Sequence, residues 1–553
     1  MRPNFILLSA AIVLLSQSIF GQSFDEDFNL WPVDLKINGT IVACGGGEIP
    51  AEVIALLVSS AKKKDSQSVV VRFEAATDLT ADKIEETLES ASGLEQFTIQ
   101  AEATWLPEGA EQAIESAQVV WIVADERLPK PQIKVLNAVL AATKKMIAEG
   151  GLACLAGQSI EYLGKFKTQE ITGGALDQDA SNLVSDSVVK SAYSDKHHRK
   201  EILDLLALHP RAVGIGIERD TAIVLRKRKI LVVGEGQATF CLMANEHKPL
   251  RIQHVKQAKS RRANPYQTVV DLTAWRRDAI ERTVEPFPED KPPVPNVENG
   301  TLIIVGGGGM PQGLMRRFVE MAGGKEAKLV YVPCSESDKI RGKQRVVEAW
   351  KKMGVSSATF IHTKDRLKAN SDEEFLAPLK DATGIWFGGG RQWNFSDSYY
   401  GTKAHELMKD VLKRGGVIGG SSAGASIQSA YLCRANPVAN FDIMAPGYER
   451  GLGFIRGVAI DQHFSQRGRQ KDMTKLVKRY PQLLGIGIDE STALVVQKSR
   501  AEIIGRGKVY FYDRNEPVIP GDDDYLAVGD GEAFDLAKRR VIAGVEKTDS
   551  DDR

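Results

Sequence analysis

Residues 300–311 read GTLIIVGGGGMP, in which the apolar run LIIV at 302–305 passes without a polar break into four consecutive glycines. A short uninterrupted apolar run closed by a glycine turn predicts a strand buried on both faces. The same design recurs in KLVYVP at 328–333, GIWFGGG at 384–390 and GVIGGSS at 416–422. Between these runs lie helix-like stretches carrying Lys and Glu on a polar face. Buried strands alternating with helices predict a mostly parallel sheet covered on both sides, an α/β doubly wound layer structure. In such sheets ligands bind outside the carboxyl ends of the strands, so the glycine turns mark the functional edge.

The opening stretch has a twin. GTIVACGGGEIP at 39–50 aligns with 300–311 without a gap, and GIGIERDTAIVL at 214–225 aligns with GIGIDESTALVV at 485–496. Between the halves lies PFPEDKPPVPNVEN at 286–299, where proline density forbids helix or central strand and favours a stiff extended linker. The reading is a tandem duplication: two three-layer α/β/α domains, at 36–285 and 300–545, joined by that linker.

Composition narrows the function classes. Hydrophobic residues at 43% and charged residues at 26% are ordinary globular values, which argues against disorder and against a polytopic membrane protein. Lys plus Arg and Asp plus Glu cancel at 72 each, so no whole-chain charge points to nucleic acid. At the N-terminus Arg2 precedes an apolar run from Phe5 to Leu15 and then a small, polar stretch to Gly21 and Gln22. That run is shorter than the roughly 20 apolar residues a bilayer span requires, and 1–22 reads as a signal peptide. It predicts export, periplasmic or extracellular, with no membrane span after cleavage. The five cysteines, Cys44, Cys154, Cys241, Cys334 and Cys433, are odd in number and scattered through apolar segments, so they read as core residues rather than a disulfide framework.

The chemistry concentrates in GGVIGGSSAGASIQSA at 415–430. An apolar strand enters Gly420-Ser421-Ser422-Ala423-Gly424, a G-x-S-x-G turn whose small neighbours suit a strained nucleophile standing clear of a sheet. Ser422 is the candidate nucleophile. A serine hydroxyl needs a base, and the second half offers His362, His405 and His463. His405 lies in the helix-like AHELMKD and His362 after a short apolar run; His463, in GVAIDQHFSQRGRQ, follows an apolar strand among polar groups and is the choice. The orienting acid comes from GIGIDEST, where Asp489 and Glu490 point to opposite faces, so only one of them meets the imidazole. Backbone amides for a developing oxyanion come by position from Ala423 and from Gly389 or Gly390 in the turn GIWFGGGRQW. The glycine run 306–309 lacks G-K-[ST] and the dinucleotide spacing, so it reads as a turn beneath a site, not a phosphate loop.

GSSAGA, DQHFSQRGR and GIGIDEST together resemble the cyanophycinase branch of the cyanophycinase and aspartyl dipeptidase (dipeptidase E) family of serine peptidases, over about residues 299–520. The resemblance implies a class I glutamine-amidotransferase-like, or flavodoxin-like, layer fold. It implies Ser422 as nucleophile, His463 as base and Glu490 as the third member. It also implies substrate-binding roles for Gln392, Asp461, Gln462, Arg467 and Arg469, whose guanidinium groups suit a substrate carboxylate. Two positions depart from the pattern: Arg391 stands where cyanophycinases usually carry an acid before the glutamine, and Asp472 where a third arginine usually follows. Both alter the charge of the cleft.

The first half has lost these groups. Gly157, in GGLACLAGQS at 150–159, falls at the position of Ser422; Ala192 falls opposite His463 and Arg219 opposite Glu490; WIVADER at 121–127 replaces the glycine turn. A catalytically inactive copy is expected there, making the chain an intramolecular pseudo-dimer or leaving it to form a homodimer. The expected activity is hydrolysis of a peptide or isopeptide bond beside an aspartyl carboxylate, with no metal or organic cofactor and no nucleic-acid partner. An esterase of α/β-hydrolase type shares G-x-S-x-G but not GIGIDE or the arginines; a non-catalytic binding protein is the remaining alternative.

Overall fold

Along the strand Val297–Val305, Leu302 and Ile304 pack into one apolar cluster and Ile303 and Val305 into another. The two-residue period therefore buries both faces of the strand, as its unbroken apolar run requires. On one face the helices Glu373–Lys380 and Lys403–Lys413 supply Phe375, Leu376, Leu379, Met408 and Val411. On the other, Leu314–Met321 and Lys343–Lys352 supply Leu314, Phe318, Val319 and Trp350. Each fully buried side chain of this kind contributes roughly 1.5–3 kcal/mol of transfer free energy. The computed structural model describes residues 31–32, 37–62, 67–73, 93–100, 103–124, 130–165, 181–259, 264–340, 342–519 and 523–542, with isolated positions 86, 88, 89, 128 and 521.

The main sheet of the second half runs in the spatial order Ser357–Phe360, Lys328–Val332, Gly384–Phe387, Val417–Ser421, Val297–Val305, Thr492–Lys498, Arg500–Gly505, Ala533–Asp535, Arg540–Ile542. Its first five strands are parallel and the remainder antiparallel. A smaller sheet, not foreseen in the sequence, orders Ser429–Leu432, Ile455–Gln462, Leu484–Ile488, Val509–Tyr512 and Leu526–Val528. In it Gln462 pairs with Ile488, so His463 and the acidic pair Asp489-Glu490 leave neighbouring parallel strand ends together.

The first half is laid out alike. Its main sheet orders Gly93–Ile99, Gln67–Phe73, Val119–Ala124, Leu152–Gly157, Ile37–Cys44, Thr221–Lys227, Lys229–Gly234 and Val269–Asp271, with the first five strands parallel. A second sheet of four strands accompanies it. Main-chain bonds correspond as well: Gly45 donates to Thr221 O at 2.8 Å and Ala192 to Gly45 O at 2.7 Å, as Gly306 donates to Thr492 O at 2.9 Å and His463 to Gly306 O at 2.8 Å.

The proline-rich segment carries no helix and several bends, and it is not a free tether. Its end joins the strand Val297–Val305, three residues earlier than the boundary at 300, and Glu289 O accepts from Gln482 Nε2 at 3.1 Å. A Cβ on Gly457 would come within 2.5 Å of Pro293 O, so the linker lies directly on the second half. The segment 1–22, expected to be a signal peptide, and the positions 125–127 of WIVADER lie outside the described residues. Among the described residues no helix is long and apolar enough to cross a membrane. The five cysteines are unpaired, four of them buried.

Candidate active site

The G-x-S-x-G turn is dictated by close approach. A Cβ on Gly420 would stand 2.2 Å from Gly424 O, and one on Gly424 would stand 2.1 Å from Phe387 O. Both outer positions must therefore be glycine for the strand Val417–Ser421 to turn so sharply into Ala423–Ser426. Ser422 sits at the bend with φ 58° and ψ −113°, a left-handed conformation that costs on the order of 1–3 kcal/mol and lifts its side chain off the sheet edge.

The Ser422 hydroxyl donates to His463 Nε2 at 2.9 Å, and His463 Nδ1 donates to Glu490 Oε1 at 2.6 Å. An ionised carboxylate only accepts, so Glu490 selects the tautomer with hydrogen on Nδ1 and leaves the Nε2 lone pair facing serine. The choice the sequence left between the two acids is resolved by direction. Asp489 points away and accepts from Ser465 N at 2.9 Å, Lys508 N at 3.1 Å and Tyr510 Oη at 3.2 Å. Glu490 is itself steadied by Gln466, whose Oε1 accepts from Glu490 N at 2.9 Å.

Beneath this line lies the glycine run 306–309. Gly307 has φ +100°, and a Cβ there would come within 2.3 Å of His463 Cε1; Gly308 has φ +67°, and its Cβ would come within 2.4 Å of Glu490 Oε2. The run is the floor on which imidazole and carboxylate rest. The repeat identified it as a strand-end turn, but only the side chains above it reveal why its second and third members carry no Cβ.

Of the three oxyanion candidates, Gly389 faces Ser422: a Cβ there would lie 3.6 Å from Ser422 Cβ. Gly390, at φ +151°, lies against Cys334 instead: a Cβ there would come within 3.0 Å of the Cys334 Cβ, O and Sγ. Among the described residues the amides of Gly389 and Ala423 have no acceptor. Cys334 donates through Sγ to Arg391 O at 2.9 Å, and burial pushes its thiol up to about 12, so it is held protonated rather than nucleophilic.

The five residues implied in substrate binding separate into buried braces and one open group. Gln392 is 3% exposed and its Nε2 donates to Cys433 O at 2.6 Å and Arg434 O at 3.0 Å. Asp461 is fully buried and accepts from Arg434 Nε at 2.8 Å and Arg469 Nη1 at 2.9 Å. Arg469 Nη1 also donates to Gln462 Oε1 at 2.5 Å. Arg467 alone of the five is exposed, and among the described residues it has no carboxylate partner. Arg434, which no sequence signal singles out, joins the braces to Asp472 at 2.6 Å, so the departure at 472 neutralises an arginine already present. Burial opposes the Arg434 charge, but Asp461 and Asp472 outweigh it and raise the affinity of that group for its proton.

Burial pulls the imidazole of His463 below the ordinary histidine value; Arg467 and Arg469 add to that, and the hydrogen bond to Glu490 opposes it. A base with those properties is neutral, and competent to accept a proton, at neutral pH. The other two histidines take no part. His405 is buried, bonded through Nε2 to Leu452 O at 2.7 Å, and His362 Nε2 meets Ser337 O at 3.0 Å. In the first half Gly157 keeps a left-handed bend, φ 66°, and Ala192 keeps φ 44° against 49° at His463, with no hydroxyl or imidazole on either. Among the described residues no group of three or more His, Cys, Asp or Glu is gathered to hold a metal.

Residues 302–504 match the model of peptidase family S51. Among curated proteins, the cyanophycinase of Geminocystis herdmanii is 29% identical over 248 residues, which are 42% of this chain and 91% of that protein. The cyanophycinase of Trichormus variabilis is 26% identical over 258 residues, 43% of this chain and 85% of that protein. Among solved structures, a peptidase from an acI-B1 Actinobacterium is 23% identical with a TM-score of 0.32, covering 43% of this chain and 97% of its own. A putative peptidase E from Listeria monocytogenes is 14% identical with a TM-score of 0.28, covering 38% and 100%. Over residues 302–504 the second half of the chain thus matches the model of peptidase family S51 and is similar to cyanophycinases, which supports a serine-type peptidase.

Proposed function

We propose that the chain is an exported serine peptidase that cleaves peptide or isopeptide bonds beside an aspartyl carboxylate, with Ser422, His463 and Glu490 as its triad. The observation that carries the reading is the unbroken hydrogen-bonded line from hydroxyl to imidazole to carboxylate, at 2.9 and 2.6 Å. Ser422 Oγ attacks the scissile carbonyl while its proton passes to Nε2 of His463. Glu490 stabilises the imidazolium, and the amides of Gly389 and Ala423 receive the oxyanion. The imidazolium then protonates the leaving amine, an acyl-enzyme remains on Ser422, and water activated by the same imidazole releases it.

The proposed substrate class rests on the open cations. Among the described residues Arg467 and Arg391 have no carboxylate partner, while Arg434 and Arg469 are committed to Asp461, which leaves two guanidinium groups for a substrate carboxylate. The first half is proposed to be a non-catalytic copy, since Gly157, Ala192 and Arg219 occupy the places of the triad while the surrounding main-chain bonds correspond. Export rests on the N-terminal segment 1–22 alone.

A fluorophosphonate probe should label the full chain once, at Ser422, and Ser422→Ala should abolish labelling. Purified protein should release Asp-Arg dipeptides from cyanophycin or cleave α- or β-aspartyl peptides. Inertness toward every aspartyl substrate, with labelling retained, sinks the substrate class and leaves the serine mechanism; absence of labelling sinks both.

A further inference from the structure

The hairpin joining Thr221–Lys227 to Lys229–Gly234 ends in Arg228, and its counterpart in the second half ends in Ser499. The two turns share a main-chain bond: Leu272 N donates to Arg228 O, and Leu536 N to Ser499 O, each at 2.8 Å. Only the first-half turn carries a long cation, and that cation crosses into the other half. Arg228 Nε and Nη2 grip both oxygens of Asp271 at 2.6 and 2.8 Å, while Nη1 donates to Asp397 Oδ2 at 2.5 Å and Nη2 to the Tyr448 hydroxyl. Its guanidinium lies 4.7 Å from the ring centre of Trp393.

Trp393 and Asp397 belong to the buried helix Trp393–Tyr399, which begins directly after Gly389-Gly390-Arg391-Gln392. The Asp397 carboxylate accepts from Tyr448 Oη at 2.5 Å, and burial, which opposes its ionisation, is outweighed by Arg228, Lys364 and Arg277. A second first-half arginine, Arg277, donates from Nη2 to Ser396 Oγ at 2.9 Å on the same helix and from Nε to Gly447 O at 2.7 Å. The helix is tied back to the turn by Asn394 N and Nδ2, both donating to Arg391 O at 3.0 Å. From the first half to the glycine beside Ser422 the path is therefore one guanidinium, one short helix and one turn.

We propose that Arg228 is a positioning residue for the peptidase: by clamping the helix Trp393–Tyr399 it sets where the Gly389 amide stands relative to Ser422. The inactive half thereby becomes part of the catalytic apparatus without touching substrate. This rests on the triad and oxyanion assignments of the proposed function. A bidentate, ring-stacked guanidinium is not replaced by an ammonium, which retains charge but not the planar fork. Displacing an oxyanion donor lowers a reaction rate without weakening the encounter that precedes it.

The test is saturation kinetics of fluorophosphonate labelling on the full chain, with Arg228→Lys, Arg228→Gln and Asp397→Asn beside the wild type. The expected result is a maximal labelling rate that falls roughly tenfold to hundredfold in Arg228→Gln and Asp397→Asn. Arg228→Lys should recover part of the loss. Half-saturation and the midpoint of the pH profile should stay in place, since the triad and its charges are untouched. A merely structural role would reduce the fraction of protein labelled but leave the rate of the labelled fraction unchanged; that outcome overturns the proposal, as does unfolding of all three variants. A wild type that does not label at Ser422 defeats the underlying triad reading instead, whatever the variants do.

Discussion

Gly307→Ala should disable the site while leaving the fold standing. The added methyl would sit 2.3 Å from Cε1 and 2.6 Å from Nε2 of His463, against 3.4 Å for ordinary contact. To restore contact the ring must retreat by about 1 Å, and a displacement of that size at reacting groups costs on the order of a hundredfold in rate, or about 2.7 kcal/mol of transition-state stabilisation. The alanine must also adopt φ +100°, which adds roughly 1–2 kcal/mol of local strain, small against the 5–15 kcal/mol that holds a domain. The repeat supplies its own control. Gly46, the counterpart at φ +91°, has nothing within 4 Å of where its Cβ would be, so Gly46→Ala carries the strain without the collision. Fluorophosphonate labelling rate and thermal melting of the two variants separate the effects. Both should melt a few degrees below the wild type, and only Gly307→Ala should lose labelling. A folded Gly307→Ala that labels at the wild-type rate would refute the reading of the glycine run as the floor of the imidazole.

The neighbouring acids should fail in different ways: Glu490→Gln should cost a thousandfold or more in labelling rate, roughly as loss of the orienting carboxylate does in other triads, with its melting temperature retained. Asp489→Ala, which orphans three donors, should cost about 1–3 kcal/mol in denaturant melts. The labelling rate should rise with pH along an acid limb whose midpoint lies below about 6.5, because burial favours the neutral imidazole of His463. Arg467→Gln removes a cation that disfavours protonation, so the same profile should move upward in pH. His405 is held well below the ordinary value by burial, with Lys409 adding. Its folded value is depressed, so its contribution to stability is full above about pH 6.5 and is lost as pH falls from there toward the folded value. Denaturant melts between pH 7 and 4.5, approximate bounds set around that window, should show a decline that His405→Gln reduces.

The layer fold was legible because its strands are buried on both faces and so appear as unbroken apolar runs, each stopped by glycine. The turn at Ser422 was legible because close approach at Gly420 and Gly424 leaves no substitute residue. His463 stood out by its place at a strand end, but choosing Glu490 over Asp489 from spacing alone was beyond reach: both follow the same strand, and which face meets the imidazole depends on the pairing of Gln462 with Ile488 in a sheet the apolar pattern did not announce. Burial was equally hidden. Gln392, Asp461, Gln462 and Arg469 are polar residues in a row of motifs, and nothing in the chain distinguishes a brace between buried partners from a group open to substrate. The contact from Arg228 to Asp397 spans 169 residues and joins two halves that sequence reasoning treated one at a time.

Comparison of the halves separates what the fold demands from what the chemistry demands. Left-handed φ at a catalytic residue invites the view that strain is stored for function. Yet Ala192 keeps φ 44° with no imidazole to aim, and Asp220 keeps 56° where Ser491 has 55°. Each conformation is held by main-chain bonds common to both halves, Ala192 N to Gly45 O and Asp220 N to Gly46 O in one, His463 N to Gly306 O and Ser491 N to Gly307 O in the other. The strain at these two places therefore belongs to the way the smaller sheet meets the main one, and it persists where no imidazole stands. At these places the two halves differ in their side chains, a hydroxyl, an imidazole and a carboxylate standing in the second half on a backbone bent in the same way in both. Building the same proton path into the first half would accordingly require at least Gly157→Ser, Ala192→His and Arg219→Glu together, since any one of them alone leaves that path broken.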